Sequence, residues 1–349
     1  MAVNESSLSR TNNFDALRLV AAAAVIFGHA HPLTKSAEVV VFGNSVQALA
    51  VKIFFVVSGF LIATSWVLDP NPLRYLRKRA LRIFPALAWL LLLTTLVLGP
   101  ALTRLPMGEY FSNSGVYRYF WSNLLLSPVY ALTDLFSSNP YPTAVNGSLW
   151  SLPVEFLMYL LMPCVLVFSR IGRSNTLFLA FSVALCVVSI FSLRAGRPAP
   201  TQVLYGTGFA SVLDVAPYFF LGSLFALTRL KKLLDPALAL FGIGLFALIQ
   251  PESAKSMEIA LYLVLPIAVL SFGISSTPGL RRFGRFGDFS YGLYLYGFVV
   301  QQTFLNFFPA MGAWENAGVS LIVSLLLAFV SWHLIESPAL KFKSRKNSK

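Results

Sequence analysis

Three groups of residues in this chain have the types and the spacing to do chemistry. Arg18 and His29 are separated by ten residues, all of them Leu, Val, Ala, Ile, Phe or Gly. On an α-helix that spacing sets a fixed cation and a titratable base about 16 Å apart, roughly half of a ~30 Å hydrocarbon core. Ionisable residues inside an apolar run are functional candidates by default, and an imidazole so placed can take a proton from a hydroxyl. The second group is Arg74-Tyr-Leu-Arg77-Lys78-Arg79-Ala-Leu-Arg82-Ile-Phe-Pro85, with five basic residues in nine positions. Arg79 and Arg82, at i and i+3, share one helix face and can converge on a phosphate. The plainer reading of the same run is a topology anchor touching anionic lipid. The third group is Asn146-Gly-Ser-Leu-Trp150-Ser-Leu-Pro153-Val-Glu155. Pro153 suits a first helical turn, so Glu155 falls in that turn, where it can orient a histidine such as His29 and stabilise its imidazolium. Asn146-Gly-Ser is also formally a glycosylation sequon, but the adjoining Trp150 and Pro153 better suit a substrate-lining turn.

The elements that position these groups are membrane spans. Across 349 residues the composition is 56% hydrophobic and only 12% charged, with a mean hydropathy of +0.70, far from the usage of soluble globular domains. The expected fold is therefore all-α, a polytopic transmembrane helical bundle forming a single domain over 1–349. The amino-terminal stretch is polar and no small-residue cleavage site follows the first apolar run, so that run is expected to be retained. Cys164 and Cys186 both fall in apolar runs and support neither a disulfide nor a zinc framework.

Apolar runs occur at 16–32, 51–68, 83–99, 149–168, 176–193, 210–228, 237–250, 258–275, 289–308 and 317–335, about ten spans, with 237–250 the weakest. The mixed stretch 100–148 reads as a long external loop with an interfacial helix near Val116 to Leu126. Basic residues accumulate on the cytoplasmic side of membrane proteins. Assigning both termini and the even-numbered loops to that side collects 20 of the 27 lysines and arginines there. Arg18 then lies at the cytoplasmic end of its span and His29 toward the outer face. The net charge of +13 thus records topology, and no nucleic-acid partner is needed to explain it.

Six motifs in order resemble the membrane-bound acyltransferase-3 family, bacterial enzymes that O-acylate cell-surface carbohydrates. They are Phe14-Asp15-Ala-Leu-Arg18 through His29, Phe54-Phe-Val-Val-Ser58-Gly59-Phe60-Leu-Ile, Arg79-Ala-Leu-Arg82-Ile-Phe-Pro85, Ser148-Leu-Trp150-Ser-Leu-Pro153-Val-Glu155, Phe289-Ser290-Tyr291-Gly292-Leu-Tyr294-Leu-Tyr296, and Ile335-Glu336-Ser-Pro338. One departure is Gly297, where relatives often carry a histidine, and no catalytic role is assigned to it. The soluble esterase-like domain that some relatives append is not expected. The resemblance implies an enzyme of the bacterial inner membrane that moves an acyl group from cytoplasmic acyl-CoA to a glycan hydroxyl. Acetyl-CoA is the expected donor, succinyl-CoA the alternative, and no metal takes part. The acceptor is a carbohydrate, free or lipid-linked, such as exopolysaccharide or lipopolysaccharide. Arg18, Arg79 and Arg82 would hold the CoA phosphates, His29 and Glu155 would be catalytic, and Ser58, Asn146 and Trp150 would line the substrate. Direct transfer and a covalent acyl-His29 intermediate both remain open, as does the oligomeric state.

Plainer readings stand beside these. His31 and His333 read as an outer-loop residue and an inner anchor, Ser58-Gly59 as a small-residue packing notch, Tyr291, Tyr294 and Tyr296 as an aromatic belt, and Glu336 as a lock for the tail. A rival function is a transporter, flippase or export partner for a lipid-linked sugar, since intramembrane charges also mark conduits. Neither an inverted repeat nor paired Gly/Pro-broken spans support it.

Overall fold

The computed structural model describes residues 12–171, 176–194 and 203–342. The polar amino-terminal stretch, the loop around Arg173 and the basic carboxy-terminal tail, all assigned above to the cytoplasm, lie outside the described residues. The described chain is helical apart from two hairpins of two-residue strands. Helix α1 spans Phe14–Leu33, α2 Val46–Leu68 and α3 Pro72–Leu102, with a π-helical turn at Thr94–Leu98. Then follow α4 Ser114–Leu124, α5 Ser151–Ile171, α6 Thr176–Arg194 and α7 Phe209–Leu227. The last four are α8 Pro236–Ile249, α9 Ala254–Ile274, α10 Ser290–Phe307 and α11 Ala313–Lys341, the last interrupted by a π-helical turn at Trp332–Glu336.

Every apolar run lies in a helix, and α4 occupies the stretch where an interfacial helix is expected. Among the described residues seven helices, α1, α2, α3, α5, α7, α9 and α11, are long and apolar enough to cross a membrane. The protein is an all-α, multi-pass membrane protein. Helices α6 and α8 are shorter apolar segments, and α10 is a helix of 18 residues that is not among the seven. The largest boundary correction concerns α3. The basic run Arg74–Arg82, which precedes the apolar run at 83–99, belongs to the helix itself. Asn71 starts it: its side chain accepts from the Arg74 N–H at 3.0 Å, and Pro72 takes the first helical position, where its missing N–H costs nothing. Arg and Lys are also good helix formers, so charge ended the apolar run without ending the helix.

Helices α2 and α7 pack closest. Each follows a tight hairpin turn, Phe42-Gly43 or Tyr205-Gly206, whose two central residues all have positive φ. Gly59 and Gly222 occupy the same position in the two helices counted from that hairpin. A Cβ on Gly59 would overlap the Phe219 carbonyl, and one on Gly222 would overlap the Val56 carbonyl. The two contacts exchange under a local two-fold, and the Ser223 hydroxyl donates to the Gly59 carbonyl across the crossing at 3.0 Å. Small residues let backbones approach in this way. Gly59→Val should therefore lower stability by about 1–3 kcal/mol, the cost of overpacking, read as a lower unfolding temperature in detergent. An unchanged temperature would refute the close crossing.

The central helix is α10, most of it buried. Four of its polar side chains donate inward to backbone carbonyls. Gln301 donates to the Ile26 carbonyl at 2.8 Å and Gln302 to the Ala144 carbonyl at 2.7 Å. Tyr291 donates to the Ile83 carbonyl at 3.0 Å, and Tyr294 to the Ser148 carbonyl at 2.9 Å. Tyr294 and Tyr296 are buried in the bundle, so the aromatic-belt reading of this cluster is replaced by one in which the hydroxyls of Tyr291 and Tyr294 stitch α10 to α3 and to the turn before α5.

Candidate active site

Helices α1, α2, α3, α5, α10 and the loop before α10 enclose a cavity of about 250 Å3. Five residues singled out in the sequence meet on its wall: Arg18, Arg79, Arg82 and Glu155 by type and position, and Ser58 by the family resemblance. The local reasons are simple. Arg79 and Arg82 are one turn apart on α3 and point the same way. On α5, Ser151, Glu155 and Tyr159 recur every four residues and present one face to the cavity. Phe54, Leu61 and Ile62 from α2 give it an apolar side. Trp332, on the widened π-helical turn of α11, also lines it, an example of such turns at candidate sites.

The three arginines are not equivalent. Arg18 and Arg82 both form ion pairs with the same oxygen, Oδ2 of Asp288, at 3.1 and 2.6 Å, and Arg82 donates a hydrogen bond to it. Arg18 also pairs with Asp15, and Arg82 has Glu336 at 3.9 Å. The other oxygen of Asp288 accepts from the Ser290 hydroxyl at 2.6 Å. Burial works against a charge on Asp288, but Arg18, Arg82 and Ser290 together hold its carboxyl below the usual carboxylate range. Arg79, by contrast, makes no ion pair among the described residues. Its guanidinium lies near the rings of Tyr75 and Tyr159, 5.9 and 5.8 Å from their centroids, and its Nε is buried without a hydrogen-bond partner. Glu155 accepts from the Ser58 hydroxyl at 3.2 Å and from the Tyr159 hydroxyl. The cavity therefore carries a compensated pair of cations and one uncompensated cation, a wall suited to an anion.

His29 does not line this cavity. Its ring packs edge-on against Phe298, 5.3 Å between centroids, and its Nδ1 is buried without a partner. The other two histidines each place Nδ1 against the carbonyl four residues back, His31 at 3.1 Å and His333 at 2.8 Å. No hydrogen bond or ion pair joins His29 to Glu155 among the described residues, so the expected pair is not formed. Glu155 faces the arginines because of its azimuth on α5, which depth along the helix cannot reveal. The link between cavity and histidine is α10: Ser290, Tyr294 and Phe298 recur every four residues, and the first two line the cavity while the third touches His29. The path covers about 12 Å along the helix axis. Gly147 packs so closely on the Phe298 ring that any side chain there would strike it.

Asn146 and Trp150 do not line the cavity either. Asn146 is fully buried, and both ends of its amide are used: Nδ2 donates to the Leu295 carbonyl at 2.9 Å and Oδ1 accepts from the Ser148 N–H at 3.1 Å. It holds the turn that delivers Ser151 and Glu155. Trp150 is partly buried against the core, and its carbonyl accepts from Thr207 at 3.1 Å. Ser58 and Gly59 divide the two readings offered for them, Ser58 facing the cavity and Gly59 packing on α7.

Residues that spacing did not single out include Asp288, Tyr159 and a second charged cluster. In that cluster Lys52 is only 1% exposed and contacts Glu258 at 3.1 Å and Asp214 at 3.3 Å. Asn44 accepts from Lys52 at 2.9 Å, and Tyr218 donates to Glu258 at 2.8 Å. Lys52, Asp214 and Glu258 each lie in an apolar run, a signal that a charge search of the spans would have caught. Among the described residues no group of three His, Cys, Asp or Glu side chains is placed to hold a metal ion.

Comparison with known proteins agrees with the motifs. The family described as Acyltransferase domain matches residues 11–334. An O-acetyl transferase of Shigella phage Sf6 is 31% identical over 345 residues, covering 98% of this chain and 99% of the phage protein. Nodulation protein 10 of Rhizobium leguminosarum bv. viciae is 29% identical, covering 98% and 96% of the two chains. The exopolysaccharide production protein ExoZ of Rhizobium meliloti (strain 1021) is 26% identical, covering 85% and 90%. No solved structure matches the chain.

Proposed function

Because the chain belongs to the Acyltransferase domain family and is an acyltransferase, we propose that it transfers an acetyl group from cytoplasmic acetyl-CoA to a hydroxyl of an extracytoplasmic polysaccharide. The observation that carries the donor half of this reading is the cavity that gathers Arg18, Ser58, Arg79, Arg82 and Glu155. The acceptor class is inferred from the names of the phage O-acetyl transferase and of the exopolysaccharide production protein. The charge asymmetry of the loops supports ten spans with both ends in the cytoplasm of a bacterial inner membrane. In that orientation the arginine cavity opens toward the donor and His29 lies toward the acceptor.

The CoA phosphates would meet Arg79, the cation without a carboxylate partner, with Arg18 and Arg82 beside it. Ser58 and Glu155 bound the channel in which the pantetheine arm extends along α10 toward His29. His29 takes the proton of the acceptor hydroxyl, whose oxygen attacks the thioester carbonyl carbon. The C–S bond breaks, and the departing CoA thiolate recovers the proton from the imidazolium, leaving the acyl ester and CoASH.

The test is acetyl transfer in membrane vesicles, with mass spectrometry of the polysaccharide and of surface glycan from cells with and without the protein. Arg79→Ala should raise the KM for acetyl-CoA about tenfold to a hundredfold, the scale of a lost charge-assisted contact. Acetylated glycan that does not depend on the protein would end the reading, and an unaltered KM would reduce Arg79 to a lipid anchor. A transporter or export partner predicts lost polymer export, with no change in acetylation per sugar unit.

A further inference from the structure

We propose that Asp288 is a positioning residue for the donor site, one carboxylate that holds Arg18 and Arg82 together so that both guanidiniums meet the donor's phosphate groups. This rests on the acyl-CoA reading above. Three observations carry it. First, one oxygen of Asp288 accepts from Arg82 of α3 at 2.6 Å and forms an ion pair with Arg18 of α1 at 3.1 Å. Two cations from different helices are thereby drawn to a single point, where without an anion between them they would repel. Second, Asp288 is itself fixed from both sides. The Ser290 hydroxyl donates to its other oxygen at 2.6 Å, and Gly287 before it has φ +123 with the Trp332 ring against its backbone. Gly287 adopts a backbone that other residues avoid, and the turn it makes delivers the carboxylate to the arginines. Third, the site faces the cavity: Arg18, Arg82, Asp288 and Ser290 all line it.

Each guanidinium has five N–H donors in a rigid fork, so the bond to Asp288 leaves others for a phosphate oxygen. The carboxylate would act as a resident anion between the two guanidiniums. It keeps them together and ready, so that a donor phosphate finds them ordered instead of having to order them. Asp288 touches neither the thioester nor the acceptor hydroxyl, and its effect passes through the two arginines.

Charge alone and positioning predict opposite results. Asp288→Asn removes a negative charge beside a phosphate site. If Asp288 only offset the arginines, the variant would bind acetyl-CoA more tightly and its KM would fall. Positioning predicts that KM for acetyl-CoA rises about tenfold, with kcat changed much less, and that Asp288→Glu recovers part of the loss. A second donor separates this from general damage. The acetyl thioester of N-acetylcysteamine carries no phosphate, so its KM should be the same in parent and variant. Ser290→Ala, which removes one hydrogen bond and no charge, should raise the acetyl-CoA KM severalfold and keeps the test decisive if Asp288→Asn does not fold. A lowered or unchanged KM for acetyl-CoA, or an equal rise for both donors, would overturn the proposal. Asp288 fails alone if Arg79→Ala raises that KM while Asp288→Asn and Ser290→Ala do not. If the parent protein uses acetyl-CoA and succinyl-CoA no better than the phosphate-free thioester, the acyl-CoA reading itself fails.

Discussion

His29→Ala should fold and insert like the parent chain yet lose acetyl transfer by about 10²–10⁴-fold, the usual cost of removing a general base. The reason lies in how the three histidines are bonded. His31 and His333 are each engaged with a carbonyl of their own helix, which occupies Nδ1 and fixes the ring. His29 is buried against Phe298 with Nδ1 unpaired, which leaves that nitrogen, unlike those of His31 and His333, without a helix carbonyl to occupy it. His31→Ala should accordingly be mild. Glu155→Gln should also slow the enzyme, but because Glu155 faces the donor cavity and does not touch His29, the two losses should multiply in the double variant. The rates are read in membrane vesicles with acetyl-CoA and polysaccharide, with the amount of inserted protein measured in parallel. Near-parental transfer by His29→Ala would remove His29 from the chemistry.

The largest stability effect should come from Lys52. Its ammonium is 1% exposed and joins α2 to Asp214 of α7 and Glu258 of α9, with Asn44 and Tyr218 completing the cluster. Lys52→Met leaves both carboxylates without a cation, and breaking a buried pair in this way costs about 3–5 kcal/mol. Glu258→Gln relieves part of that cost, so Lys52→Met with Glu258→Gln should be more stable than Lys52→Met alone. Thermal unfolding in detergent measures both. A single variant as stable as the parent, or a double variant worse than the single, would show that the cluster does not hold these helices together.

Much of the candidate site was legible in the order of residues, because a helix face is a matter of spacing. Arg79 and Arg82 at i and i+3 had to share a face, and Arg18 had to lie a half-span from His29. What could not be read was which face looks at which neighbour. Glu155 was matched with His29 on depth alone, whereas the repeat Ser151, Glu155, Tyr159 turns it toward the arginines. Asp288 was hidden because its partners on α1 and α3 are distant in the chain, and only the packing of α10 brings them together. The start of α3 was misplaced because hydropathy stops at charge, while the cap at Asn71 and Pro72 starts the helix well before the apolar run.

The inward pairing of α10 also bears on how the protein is made. Its 18 residues include Gln301, Gln302 and Asn306, and a segment so polar gains little by leaving the translocon for lipid on its own. What makes its burial favourable is the set of partners that earlier parts of the chain supply, the carbonyls of Ile26, Ile83, Ala144 and Ser148. Those parts are synthesised first. During biogenesis α10 is therefore expected to lodge against a half-built bundle instead of entering the bilayer unaided, and the cavity wall it contributes is completed near the end of synthesis. A chain that stops before Asp288 would lack the donors that α10 adds to those carbonyls and would leave Arg18 and Arg82 without their shared carboxylate, which makes an inactive nascent form the natural precursor of the enzyme.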